Sequence, residues 1–184
     1  MTTVDQLRRL NGTVTYHRFG VVKLRVKDQF WHFYSDRTPV VLKENIHSHP
    51  YPYESKILFG GIRHHIYDVK PSEEESKQNY RMRMRMSGNT SPLNVVYDNI
   101  ELIKSATFDT YKQDTYTIEH SVLHQIELIT PKCVTHLTAG RWGNPVYFVL
   151  NKELEFTKDD IWQRVSTDEC WEIIEYTLDD EDNS

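Results

Sequence analysis

The chain has 184 residues, 38% of them hydrophobic and 27% charged, with a formal net charge of −5. That is enough for one well-filled core and short for two, so a single domain over residues 1–178 is expected, and the acid excess argues against bulk electrostatic binding of nucleic acid. No run approaches the roughly 18 apolar residues of a membrane span, and the N-terminus lacks the apolar core of a secretory signal, which makes no membrane and a cytoplasmic location the expectation.

Val4, Leu7 and Leu10 recur at a helical spacing, and Asn11-Gly12 supplies a stop, so a short helix leads the chain. From Thr13 the texture is β. Val14 and Tyr16, then Val22, Leu24 and Val26 alternating with Lys23, Arg25 and Lys27, then residues 30–34, read as strands divided by turn signals at Gly20 and Asp28. Residues 40–42 lead into Asn45 and Ile46 and then into a stretch dense in chemistry that runs from His47 to Gly61.

Side chains on a strand alternate with period two, so His47 and His49 project to one side and can converge on one ion. Glu54 follows closely enough for a turn or bulge to bring it to the same point. Gly60 and Gly61 are expected to make a tight reversal between residues 57–59 and 62–69. The expectation is a metal site at a barrel mouth.

Residues 70–79 are polar and aperiodic, as in a solvated loop. Residues 80–86 alternate strictly, with Arg81, Arg83 and Arg85 on one face and Met82, Met84 and Met86 on the other. The plainer expectation sends methionine to the core and arginine to water; the sharper one turns the arginines to a partner or an anionic ligand. Residues 87–92 form another loop. Extended pieces follow at 94–103, 106–111, 115–118 and 122–129; Pro131 breaks the run, and 133–137 and 146–150 resume it after turns. Residues 157–160 open a helix, the Ser166 to Glu169 capping box opens another, and residues 179–184 form an acidic, disordered tail. Cys133 and Cys170 lack metal-type spacing and are expected as reduced, buried thiols. The fold class is mainly β: one small antiparallel barrel or sandwich with helices near the two ends.

The pattern His47-x-His49-x4-Glu54-x6-Gly61 resembles the first motif of the cupin superfamily, whose fold is a jelly-roll barrel, the double-stranded β-helix. Val41 stands where that motif usually has glycine. The family's second motif adds one histidine from a later strand. Here the segment 116–124 supplies His124, with Ser121 and Glu119 in place of glycine and proline. Within cupins the first block is similar to that of the thiol dioxygenases, the plant cysteine oxidases and cysteamine dioxygenase: His47-Ser-His49-Pro50, four residues, then Ser55-Lys-Ile-Leu-Phe-Gly-Gly61. Their third iron ligand precedes a proline by seven residues, as His124 precedes Pro131. Strand alternation alone does not separate His124 from His120; the resemblance selects His124. Those enzymes lack the motif glutamate, and Glu54 departs from them.

The resemblance implies one divalent transition metal, Fe(II) first and Mn, Ni or Zn as alternatives, held by His47, His49, His124 and Glu54. Such a set leaves positions open for a small-molecule substrate and dioxygen. Tyr53, Arg63, Tyr116 and His120 are the candidate substrate contacts, though aromatic packing and exposed strand charge account equally well for several of them. His64 and His65 are adjacent, so one of them faces inward, in a supporting role. The leading function is a non-haem iron oxygenase resembling the thiol dioxygenases. Its rivals are a metal-dependent isomerase, lyase or hydrolase on a sugar, nucleotide or phosphorylated small molecule, and a ligand-binding cupin without catalysis. A homodimer is compatible with all three.

Overall fold

Strand β3 (Gln29–Ser35) is apolar or aromatic at both alternating sets, Phe30 and Tyr34 on one side and Trp31 and Phe33 on the other, so it needs cover on both faces. The computed structural model, which describes residues 3–17, 20–38, 46–72, 80–86, 94–152 and 165–179, provides that cover in two different ways. Strands β1 (Thr13–His17) and β2 (Val21–Val26) form a hairpin that pairs with β3, and β3 in turn pairs with the later half of β9 (Leu123–Ala139). One face of this sheet carries Tyr16, Val22, Leu24, Phe33 and Val134. Two helices pack on it, α1 (Val4–Arg9) through Leu7 and α2 (Thr167–Leu178) through Cys170 and Ile174. Both helices open with capping boxes, Thr3 with Gln6 and Ser166 with Glu169. The opposite face carries Val21, Lys23, Phe30, His32 and Tyr34, and it faces a cavity.

Two long strands form the spine. β5 (Tyr53–Pro71, 19 residues) pairs antiparallel with β9 from Tyr53↔Ala139 to Tyr67↔Leu123. The reversal expected at Gly60 and Gly61 is therefore a bend within one strand rather than a hairpin. Gly60 has φ of 71°, a Cβ there would collide with the Lys132 carbonyl oxygen, and the pairing register shifts at this point. Pro131 does not end its strand either. It lies in the interval opposite the bend, between Leu128 and Cys133, that is not paired with β5, where a missing N–H removes no bond of that ladder. Thr130 Oγ1 stitches the interval, accepting from Gly61 N–H at 2.8 Å and donating to the Lys132 carbonyl at 2.7 Å.

β5 pairs on its other edge with β8 (Thr115–Ile118) and β7 (Asn94–Tyr111), the latter one strand where two pieces were expected. β7 pairs with β6 (Tyr80–Arg85), β6 with β10 (Val146–Asn151), and β10 with β4 (Ile46–His47). β4 then meets β9, among the described residues, through the pair His47↔His124, so the circuit β9–β4–β10–β6–β7–β5–β9 closes on itself. This is the mainly-β antiparallel architecture with short helices near both ends. Among the described residues no helix is long and apolar enough to cross a membrane.

The alternation of β6 resolves differently from the plainer expectation. Met82 packs on the cluster of Ile46, Ile100, Leu123 and Val149, as a core methionine should. The arginines, however, pair in register with Val146, Phe148 and Leu150, and Phe148 is also paired with His47, so the arginine face is the His47 face. All six residues of β6 are half-buried. Cys133 and Cys170 are free and buried. Residues 40–42, most of the loop at 70–79, the loop at 87–92, the helix start at 157–160 and tail residues 180–184 lie outside the described residues.

Candidate metal centre

β4 ends at His47, yet the chain stays extended for two more residues because its neighbours hold it. Ser48 N–H donates to the Tyr147 carbonyl at 2.9 Å, Tyr147 N–H donates to Ser48 Oγ at 3.0 Å, and His49 N–H donates to the His120 carbonyl at 3.3 Å. Extended backbone keeps positions 47 and 49 on one side, and their ring centroids lie 4.8 Å apart. His124 stands on β9 directly opposite His47, with its ring centroid 5.1 Å from those of both His47 and His49. One ring nitrogen from each of the three falls within 4.8 Å of the others, and Nε2 of His49 is 2.9 Å from Nε2 of His124.

This trio could hold a metal ion. Nitrogen donors about 2.1 Å from a common metal sit roughly 3 Å from one another, which the His49–His124 spacing meets and small side-chain movements of His47 can approach. Burial pushes His49 and His124 well below the usual histidine range, with the neighbouring imidazoles adding to the shift. Both rings are thus neutral, the form that binds metals. Nδ1 of His124 is buried without a hydrogen-bond partner among the described residues, so the ring is steadied by packing and by its contact with His49.

Glu54 is not with them. On β5, Tyr53 and Ser55 are buried and Glu54 between them is exposed, so strand alternation carries its carboxylate to the face away from the trio. Tyr53 itself stands edge-on to the His49 ring at 4.8 Å and lines the cavity, as does Tyr116 at 6.2 Å from Tyr53. His120 contributes its backbone carbonyl to His49 and does not join the converging nitrogens. Arg63 points away and is fully engaged: its Nε and Nη2 donate to the Asp109 carboxylate at 2.7 and 3.0 Å, across β5 and β7. Of the adjacent pair, His64 is the inward one. It packs on Tyr116 at 4.3 Å and Phe108 at 4.6 Å, lies parallel to His124 at 6.4 Å, and burial lowers its pKa to about 4.

A cavity of about 620 Å³ adjoins the trio, walled by Tyr51, Tyr53, Tyr116, Leu137, Trp142 and Phe148 among others. It also takes in His17, Lys23, His32 and Tyr34 from β1–β3, and Arg85 from β6. The alternation of Lys23 with Val22, Leu24 and Val26 in the sequence did not single out this second polar group. The available signal was β3: a strand aromatic on both faces requires its paired neighbours to be covered on both faces as well.

No protein-family model matches the chain, and no curated protein matches it. Solved structures similar to it include hydroquinone 1,2-dioxygenase from Sphingomonas sp. TTNP3 with 4-hydroxybenzoate bound, at 6% identity over 62% of this chain and a TM-score of 0.35. The match covers 60% of that dioxygenase chain. Another is Drosophila melanogaster CENP-C bound to CAL1, at 10% identity over 74% of this chain and 93% of that one, with a TM-score of 0.37.

Proposed function

We propose that this protein is a metal-dependent enzyme acting on a small molecule, a non-haem iron oxygenase of three-histidine type that resembles the thiol dioxygenases. The observation that carries the reading is the convergence of His47, His49 and His124 within 4.8 Å beside a cavity of about 620 Å³. The outward position of Glu54 supports the thiol dioxygenase comparison over the general cupin pattern, because it leaves a donor set of three imidazole nitrogens.

Fe(II) bound there would supply open positions at which substrate and dioxygen bind side by side. The chain's own contribution is shape and dryness. Tyr51 and Tyr53 are buried and their phenols are pushed well above the usual range by desolvation, so both remain neutral hydrogen-bond donors at any working pH. With Phe148 stacked at 6.4 Å from His47, they form an aromatic wall beside the trio.

The test is oxygen uptake by protein loaded anaerobically with Fe(II), then mixed with a panel of small thiols in air. Uptake that depends on both iron and thiol, and disappears in His49→Ala, is expected. Full iron loading without uptake for any thiol would remove the oxygenase reading while leaving the metal site; failure to load would remove both.

A further inference from the structure

Lys23 and His32 form a direct cross-strand pair between β2 and β3, so their side chains leave the sheet on the same side with Cβ atoms about 5 Å apart. That side is the cavity, which both residues line. Charged and polar groups are rarely turned into an aromatic-walled space without a partner. Yet Lys23 has no carboxylate partner among the described residues; its ammonium sits 5.4 Å over the Phe30 ring. His32 is 7% exposed, its Nδ1 is 3.5 Å from the Tyr34 hydroxyl, and its Nε2 is buried with no hydrogen-bond partner among the described residues. When the hydroxyl donates to Nδ1, Nε2 is the nitrogen that carries the proton.

We propose that Lys23 and His32 Nε2 hold the carboxylate of a small-molecule ligand whose apolar or aromatic body lies against the cavity wall towards the His47–His49–His124 trio. The proposal rests on the reading of this cavity as the place where substrate meets the trio. One ammonium and one neutral N–H match a monoanion, an ammonium–carboxylate contact being a charge-assisted hydrogen bond with an ordinary one beside it. Lys23 and His32 share the lining of this one cavity with His47, His49 and His124. Burial lowers Lys23 to about 8, which leaves it mainly protonated at neutral pH and gives a bound anion room to raise it. Arg85 also lines the cavity, but the residue it pairs with on β10, Val146, offers no side-chain donor beside it.

The experiment compares benzoate with benzamide, equal in shape and different in charge, by titration calorimetry at pH 7 on the whole chain freed of metal. Benzoate should bind about tenfold or more tighter than benzamide, Lys23→Met should abolish the preference, and Lys23→Arg should keep most of it. Equal binding of the two compounds overturns the proposal. So does a preference that survives Lys23→Met, and if Arg85→Met removes it instead, the anion belongs to β6. Co(II) uptake, followed by visible absorption on the same samples, reports on the trio separately. Loss of Co(II) uptake in His49→Ala with the benzoate preference intact is expected; wild-type protein that takes up no Co(II) but prefers benzoate fails the metal reading and supports the carboxylate site.

Discussion

Nε2 of His49 and Nε2 of His124 face each other at 2.9 Å across a sequence separation of 75 residues. Two neutral imidazoles in this pose need one to donate and the other to accept, so one tautomer of each ring is selected. A cation between them uses both lone pairs instead. The contact is therefore either a hydrogen bond or two members of a three-histidine ligand set, and metal content tells the two apart.

His124→Ala removes one of three converging nitrogens, while His120→Ala leaves intact the backbone carbonyl that His120 gives to His49. Metal retained through gel filtration should fall by about tenfold or more in the first variant and stay near wild type in the second, since loss of a ligand costs far more than loss of a supporting side chain. Elemental analysis of the two proteins checks this. Equal retention would remove His124 from the set.

Glu54→Gln changes an exposed carboxylate on the far face of β5. Metal content and oxygen uptake should be unaffected, and stability should move by no more than about 0.5 kcal/mol. A variant that purifies without metal would return Glu54 to the ligand set.

Gly60→Ala places a Cβ against the Lys132 carbonyl oxygen at a residue with φ of 71°. Strain of that kind costs about 1–3 kcal/mol before any collision is counted. An unfolding free energy from urea titration lowered by about 2 kcal/mol or more is expected, seen as a lower midpoint at unchanged slope. The midpoint of the same substitution at Gly143, where nothing lies within 4 Å of the new Cβ, should fall less.

Burial holds His17, His32 and His64 neutral in the folded chain, His64 at about 4 and the other two well below their ordinary value of 6.5. On unfolding they return to about 6.5, so below that pH the unfolded state binds more protons and the metal-free protein loses stability as pH falls. Each such histidine contributes up to about 1.4 kcal/mol per pH unit, and the part due to His64 stops growing near pH 4. Urea midpoints measured between pH 7 and pH 5 should drop steadily. A flat profile would mean that these rings are solvated in the fold.

Much of the architecture was legible because local rules and tertiary demands agreed. The capping box at Ser166 and Glu169 opens a helix, and the residues expected as strands on β1–β3, β8 and β10 are strands. The spacing of His47 and His49 anticipated their convergence, since period-two alternation needs only an extended backbone. What misled was punctuation: Gly60-Gly61 and Pro131 usually end strands, but here they lie opposite one another at a bend that two paired strands share. A single strand read alone cannot reveal that its breaker is matched by a partner's. Glu54 failed for a related reason, because only the absence of a bulge between Tyr53 and Ser55 decides which face it takes. Lys23 and His32 escaped notice because a charge on an alternating strand is normally solvated, and the cavity it faces is built from residues far away in the chain.

Among the described residues, β4 joins β9 through one pair, and that pair is His47 with His124. The seam that closes the strand circuit is thus also the place where the donor set is assembled. Local opening at the seam would scatter the nitrogens without unfolding either helix or the β5–β9 spine. Exchange of a bound ion should therefore keep pace with hydrogen exchange at the amides of Ser48 and Tyr147, which flank the seam, and run faster than global unfolding. A bound ion in turn acts as a clasp, slowing exchange at those two amides more than anywhere else in the sheet.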